Sequence, residues 1–442
     1  MQGSIQLING KIYFRLPYPD YPPDSILQSP QRPPALMGTK YVATQATVLF
    51  PEIVSSNTVG RYELEYQEKK VLRVYCRNTA NAESSGIGTY DDPITDFSEA
   101  VKFCICLNYL CKCGFEYLQI FILPESERVN LSDLDGYQHT EMPLIVGDMD
   151  AETKTEAYLD RPVSSYAVIL ANLKIKDIRA KIHANTMIKC ETLSPYSVGS
   201  YCAIASKIDC DGFIVSYCFG CDINCNYIEG EKDRNHVPEP IELIANSALK
   251  TKNQTNNLIT AKTLSNSNFT FDVTSSHSYY REYDFRIYYI YDSTINASHV
   301  CIDNVYVFSG STINATERPD VYRVSVCRLT GNPIVSNSTI NAICQYNIKS
   351  RYEKGFTNIG LVGLEIDAGA QPILSGFTAN LSVQVTARGL SGYKYDCVLA
   401  RSLGYREMTC LQGCNHSKYG NENPSYSFDC QSFHAAEIDL FI

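Results

Sequence analysis

Tryptophan is absent from this chain, and charged residues make up only 19% of it, below the usual quarter. Few charges, with many Tyr, Asn, Ser and Thr, suit a β-rich extended surface. The net charge is −10, from 38 basic and 48 acidic residues, and no Lys/Arg cluster offsets it, which argues against a nucleic-acid partner. No run of eighteen apolar residues exists, so no membrane insertion is expected. The start, "MQGSIQLINGKIYFRLPYPD", lacks a basic stretch followed by an apolar core, so it does not read as a secretory signal. The expectation is a soluble product made in a cytosol. Nucleophile elbow, phosphate loop, His-Glu-x-x-His and kinase signatures are all missing. The seven histidines (His139, His183, His236, His277, His299, His416, His434) are scattered. Their order suggests no catalytic triad.

What the sequence does have is a repeated word. "STINA" occurs at 293–297, 311–315 and 338–342. Its core, Ile then Asn or Asp then Ala or Cys, recurs at Ile208-Asp209-Cys210, Ile223-Asn224-Cys225 and Ile366-Asp367-Ala368. From Ile340 onward, Ile340, Ala342, Cys344, Tyr346 and Ile348 alternate with polar residues over most of the stretch. That period of two predicts strands with Ile and Ala facing inward and Asn facing outward or into a bend. Short strands with turn residues between them fit an antiparallel sandwich or a parallel β-solenoid. A solenoid stacks equivalent side chains from coil to coil, so it favours the same word at each level. The long gap between Ile223 and Ile295 has room for three coils.

Cysteine is plentiful, at 18 copies. In a reducing compartment these need not pair. Cys210 and Cys225 stand where other copies of the word have Ala, so they read as inward-facing filler. The clusters Cys104-x-Cys106 with Cys111-x-Cys113, and Cys218-x-x-Cys221-x-x-x-Cys225, lack paired Cys-x-x-Cys knuckles and nearby His. No metal and no cofactor is assigned. Buried thiols, or disulfides formed late outside a cell, account for the rest.

Residues 1–70 read as a separate head, with an Asn9-Gly10 turn signal and seven prolines in "PYPDYPPDSILQSPQRPP". Such a segment is a linker or a docking arm. Residues 71–145 read as strand, loop, helix, strand, with Asp96 capping the helix and Glu99 completing a capping box. Phe97, Val101, Cys104 and Cys111 share one helix face, with Leu107 close by. Residues 146–385 hold the repeats. Residues 386–442 gain Gly and Cys and read as a C-terminal cap or tip. Eight Asn-x-Ser/Thr sequons, among them Asn268, Asn296 and Asn314, are taken as turn chemistry.

The lead-in carries a resemblance. A strand is followed by a polar loop, then Gly88-Thr89-x-x-Asp92-Pro93, then a helix with Ala100, then a strand. This resembles the start of parallel β-helix proteins of the pectate-lyase-like superfamily, a scaffold common in phage tail spikes and tail fibres. The resemblance implies an all-β, right-handed parallel β-helix with an N-terminal capping helix, a small N-terminal head and a C-terminal cap domain. It implies a homotrimeric virion appendage, made in the host cytoplasm. Residues 1–70 would join other tail or baseplate proteins, and a host-surface glycan or protein would be the receptor. A glycan-degrading spike (polysaccharide lyase or glycoside hydrolase) and a bacterial surface solenoid are the alternatives.

Catalysis of glycan cleavage needs placed carboxylates. No catalytic residue is assigned; Asp209, Asp211 and Asp222 are the candidates, since the repeat can stack them, but a ladder of turn-forming Asx residues explains Asp209 and Asp367 without catalysis. For binding, the candidates are Tyr279, Tyr280, Tyr283, Tyr288, Tyr289 and Tyr291, with Arg281 and Arg286 among them. Tyr supplies a flat ring with a polar tip, and Arg hydrogen-bonds carboxylates. Either a seam between subunits or a ligand contact fits this cluster.

Overall fold

The computed structural model describes residues 4–8, 11–15, 41–79, 86–110, 114–137, 142–150, 155–231, 238–252, 259–271, 285–315 and 325–349, apart from 162, 166, 191, 298–299 and 332. Beyond these it describes the strands Asn358–Asp367, Leu374–Ser375, Thr378–Arg388, Lys394–Leu403, Gly413–Ser417 and Ser425–His434. The Asn9-Gly10 turn, the proline-rich stretch, Cys111, Cys113, Tyr279, Tyr280, Arg281 and Tyr283 lie outside the described residues.

The fold is mostly β, with a large and mostly parallel sheet and, among the described residues, one α-helix. The chain divides into two compact units, 1–54 with 63–215, and 55–62 with 216–442.

In the first unit, Tyr62–Cys76, Tyr117–Ile122, Leu144–Gly147 and Val168–Ala171 pair in parallel, one after the next. The strand Tyr62–Cys76 runs unbroken through residue 70. Val48, Phe50, Val71, Ile145, Met149 and Ile169 form a buried cluster behind these strands. The helix spans Phe97–Leu110. Asp96 caps it as expected, its Oδ1 accepting from the Ser98 amide at 2.8 Å. Glu99 accepts the Tyr41 hydroxyl. Phe97, Val101, Cys104 and Leu107 are buried. The Gly88-Thr89-x-x-Asp92 motif is a turn: the Asp92 carbonyl accepts the amides of Ile87, Gly88 and Thr89, and Gly88 takes φ +95°.

In the second unit each strand pairs in parallel with its equivalent one coil later. One run passes through Asp222–Glu229, Ala248–Thr251, Asn268–Phe271, Thr294–Ala297, Thr312–Ala315, Thr339–Lys349 and Thr378–Arg388. A second passes through Ile241–Ala245, Ile259–Ser265, Phe285–Tyr291, Val307–Ser309 and Ile334–Ser336. A third links Val300–Asp303, Ser325–Leu329, Asn358–Asp367 and Lys394–Leu403. The order turns antiparallel at Gly413–Ser417 and Ser425–His434.

The first run explains the repeated word. Thr-Ile-Asn-Ala at 294–297 stands in register with 312–315 and 339–342. Ile295, Ile313 and Ile340 are buried, as are Ala297, Ala315 and Ala342. The interval from Ile223 to Ile295 is filled by Leu249 and Phe269 in the same slot, which makes three coil steps. Cys225 fills the Ala slot and is buried. Cys210, expected to do the same, is only half-buried. In its strand the buried pair Gly212 and Phe213 breaks strict alternation. Ile366-Asp367 matches the word but belongs to the third run, with Ile366 beside Leu329. A period of two fixes the face of a strand without fixing the sheet it joins.

The Ser of the word makes the corner. Ser293 Oγ accepts the Ser267 amide at 3.1 Å and donates to the Tyr291 carbonyl at 2.6 Å. Ser247, Ser267, Ser311 and Ser338 repeat both bonds. The sequence separations across these links are 26, 20, 26, 18 and 27 residues, so the coils vary in length while the corner stays fixed. The residue before each Ser is left-handed: Asn246, Asn266, Asp292, Gly310 and Asn337. Asn, Asp and Gly are the residues that tolerate this conformation. In the first unit, Ser206 holds the Cys190 amide in the same way.

Candidate functional site

The candidate surface lies on the second unit, where the second run reaches Phe285–Tyr291. Phe285, Ile287 and Ile290 are buried, and this turns Arg286, Tyr288, Tyr289 and Tyr291 outward. On the next coil the Tyr306 amide bonds the Tyr288 carbonyl, and the Ile334 amide bonds the Tyr306 carbonyl one coil further on. The Tyr288 and Tyr306 rings stack, with centroids 5.5 Å apart and planes 18° apart. Tyr289 lies 5.9 Å from Tyr306, tilted by 59°. Tyr289 is 38% exposed, Tyr306 48% and Ile334 43%. Large apolar side chains rarely stay this open in one neighbourhood unless they meet something.

Charged pairs border the strip. Arg286 donates to Asp303 Oδ2 from Nε at 3.1 Å and from Nη2 at 2.8 Å. Asn304 Nδ2 also donates to that oxygen, and Thr330 Oγ1 donates to Oδ1 at 2.9 Å. Arg286 is thus anchored by a carboxylate that is itself held on both oxygens. Lys262 Nζ meets Glu242 Oε1 at 2.5 Å. That hydrogen bond raises the Lys262 pKa.

Of the predicted binding residues, the structure brings Tyr288, Tyr289 and Arg286 together. Tyr291 serves another contact: a Cβ at Gly60 would fall 2.2 Å from its ring. Burial pushes the Tyr291 hydroxyl upward in pKa. Tyr306 and Ile334 were not picked out in the sequence. They are isolated there, and only coil-to-coil register joins them to Tyr288.

The predicted carboxylates are differently placed. Asp209 and Asp211 belong to the first unit and Asp222 to the second. Asp222 pairs across to Ala248, with no acid there. The proposed Asx turns are instead an amide ladder on a strand face. Asn296 Nδ2 donates to Asn268 Oδ1 at 3.0 Å, Asn314 to Asn296 at 2.7 Å, Asn341 to Asn314 at 2.7 Å and Asn380 to Asn341 at 2.7 Å. Asn268, Asn296 and Asn314 therefore sit in strands, as the period of two allows for the Asn of the repeated word, and not in the turns that their sequons had suggested.

The first unit carries an open groove of about 900 Å³, lined by Phe121, Glu125, Glu127, Arg128, Asp148 and Glu156 among others. Lys176 bonds Glu156 and lowers its pKa, and Arg128 lies 4.8 Å over the Tyr158 ring. No three His, Cys, Asp or Glu side chains converge as a metal site among the described residues. No helix among them is long and apolar enough to cross a membrane.

No family model, curated protein or solved structure matches this chain.

Proposed function

We propose that the chain is a structural, receptor-binding appendage of a virus particle, of the tail-fibre or tail-spike kind. In this reading the parallel coils form a right-handed β-helix, the helix Phe97–Leu110 covers its first coil and the C-terminal strands close its far end. Residues 1–70 join the chain to other tail or baseplate proteins. The chain assembles as a homotrimer, and its outer surface meets a host glycan or protein.

The observation that carries the reading is the open aromatic strip of Tyr288, Tyr289, Tyr306 and Ile334 on successive coils. A scaffold that needed only to fold would keep these rings covered or replace them with polar residues. Rings with hydroxyl tips contact sugars or proteins and tolerate water between encounters.

The test compares the wild-type chain with Tyr289→Ala/Tyr306→Ala for binding to immobilised glycans and to intact bacteria. The double variant should lose binding at least tenfold while keeping its fold, since both side chains point outward. A wild-type chain that binds neither glycans nor cells, or a double variant that binds as well as wild type, overturns the reading.

A further inference from the structure

The aromatic strip has a neighbour that the chain itself covers. Tyr289 and Tyr291 stand two residues apart on one strand, so their side chains leave the same face. Burial is the main cause of the raised Tyr291 pKa, and the Tyr62 and Tyr289 hydroxyls add to it, which places the three phenols together. Tyr289 is open, but Gly60 lies on the Tyr291 ring. A Cβ on Gly60 would overlap Cγ and both Cδ atoms of that ring. An approach this close needs a residue without a side chain, and Gly60 takes φ +77° to make it.

Gly60 belongs to the turn between the strands Val42–Ser55 and Tyr62–Cys76. The turn closes on itself: the Ser56 amide donates to the Arg61 carbonyl at 2.9 Å and the Arg61 amide to the Thr58 carbonyl at 3.1 Å. Three fastenings hold it to the coils. Ser265 Oγ donates to the Gly60 carbonyl, Asn246 Nδ2 to the Tyr62 carbonyl at 3.3 Å, and Arg61 Nε to Asp292 Oδ2 at 3.1 Å. Each uses a side chain, and none is a strand pairing. The ion pair is open to water, with side chains 60% and 38% exposed, and such pairs hold weakly. Val59, at the apex, is 80% exposed, so its side chain gives the turn no apolar anchor.

We propose that residues 55–62 are a strap that covers Tyr291 in the free chain and lifts when a partner takes its place, lengthening the aromatic strip by one ring. The proposal rests on the binding role put forward above for that strip. A permanent brace over a ring gains most by burying a side chain there. Here bare backbone fills the ring face, which is the place a ligand takes on an exposed Tyr. The strap keeps its shape by its own bonds and is loosely tied to the coils, so it lifts as a unit without unpairing a strand of the runs. The corner beneath survives the lift, because the bonds of Ser293 to the Ser267 amide and the Tyr291 carbonyl do not involve the strap. A partner that reaches Tyr291 binds only the open state, so closure of the strap lowers its apparent affinity.

The test uses full chains of wild type, Gly60→Ala, Arg61→Ala, Tyr291→Ala and Gly60→Ala/Tyr291→Ala, with circular dichroism to check the fold. Hydroxyl-radical labelling of Tyr291 in the free chain, read by peptide mass spectrometry against Tyr289, reports the cover. Binding to the immobilised glycans and intact bacteria of the preceding test reports its consequence. In wild type Tyr291 should be labelled about fivefold more slowly than Tyr289. In Gly60→Ala the two should react at similar rates, with Arg61→Ala in between. Gly60→Ala should bind about fivefold more tightly than wild type, and Gly60→Ala/Tyr291→Ala should show no gain over Tyr291→Ala. If Gly60→Ala does not fold, Arg61→Ala decides by the same two readouts. Unchanged labelling in the folded strap variants overturns the proposal. So does faster labelling without tighter binding, which makes the strap a brace, and so does a gain in binding that survives the loss of Tyr291. In each of these cases a wild type that binds through Tyr289 and Tyr306 leaves the receptor-binding reading standing. If neither wild type nor any strap variant binds, that reading falls and the strap's role falls with it.

Discussion

The Ser267 amide donates to the Ser293 hydroxyl oxygen at 3.1 Å across a full coil, both residues being buried. That hydroxyl spends its own proton on the Tyr291 carbonyl, so one small side chain satisfies a donor and an acceptor at a corner where the sheet ladder stops. Ser293→Ala removes both bonds and leaves a buried amide without its partner. The expected loss is about 1–3 kcal/mol, read as a lower denaturation midpoint. Ser293→Cys should lose less, because Cys221 holds the equivalent position, with Sγ 3.5 Å from the Phe219 carbonyl. Equal losses for the two variants would contradict the hydrogen-bonding role.

Ile313 lies between Ile295 and Ile340 in one buried column. Ile313→Ala opens a cavity that coils above and below cannot close without breaking register. The expected cost is about 2–5 kcal/mol. Thr312→Ala, one residue away and facing outward, should cost under about 1 kcal/mol in folding stability. Urea denaturation of both variants checks the contrast.

Much of this column was legible in the sequence. The word repeats because the same slots recur, inward for Ile and Ala, outward for Asn. The helix was legible through Asp96 and the apolar face of Phe97, Val101, Cys104 and Leu107. The corner was legible in its Ser, which opens every STINA copy and bonds the backbone there; the left-handed position before it was not, because it accepts Asp292, Gly310 and Asn337 alike. The aromatic strip was half legible. Tyr288 and Tyr289 stand in a tyrosine-rich stretch, but Tyr306 joins them only through a coil step whose length no sequence pattern announces. Ile366-Asp367 misled for a related reason: it has the right alternation and sits in a different run.

Gly60 belongs to the short segment 55–62, which lies on the coils of the second unit. Its carbonyl accepts the Ser265 hydroxyl, Asn246 Nδ2 donates to the Tyr62 carbonyl at 3.3 Å, and Arg61 pairs with Asp292 at 3.1 Å. Gly60 takes φ +77°, and a Cβ there would overlap the Tyr291 ring. Gly60→Ala therefore meets both a strained backbone and a clash, and should cost about 1–3 kcal/mol. Arg61→Ala breaks only an exposed ion pair and should change stability by under about 1 kcal/mol. If thermal unfolding shows Gly60→Ala unchanged, the segment does not pack on Tyr291 in solution.

Buried thiols make a prediction about alkaline pH. Burial pushes the Cys76 thiol from 9.0 up to about 12, with a smaller contribution from Asp96. Burial likewise raises Cys104 and Cys327. In the folded chain these groups stay protonated and make poor nucleophiles. In the unfolded chain each ionises near its ordinary value, so the unfolded state sheds protons first as pH rises. Their contribution to stability is therefore complete below about pH 9 and is lost progressively from there toward pH 12. For Cys76 alone the loss across that window is roughly 4 kcal/mol. Cys76→Ala should be less stable than wild type at pH 7, since it leaves a small cavity, yet its stability should fall less steeply between pH 9 and 11. Denaturation midpoints at pH 7, 9 and 11 for both proteins supply the comparison. Parallel slopes for the two would mean that Cys76 is not buried as a thiol.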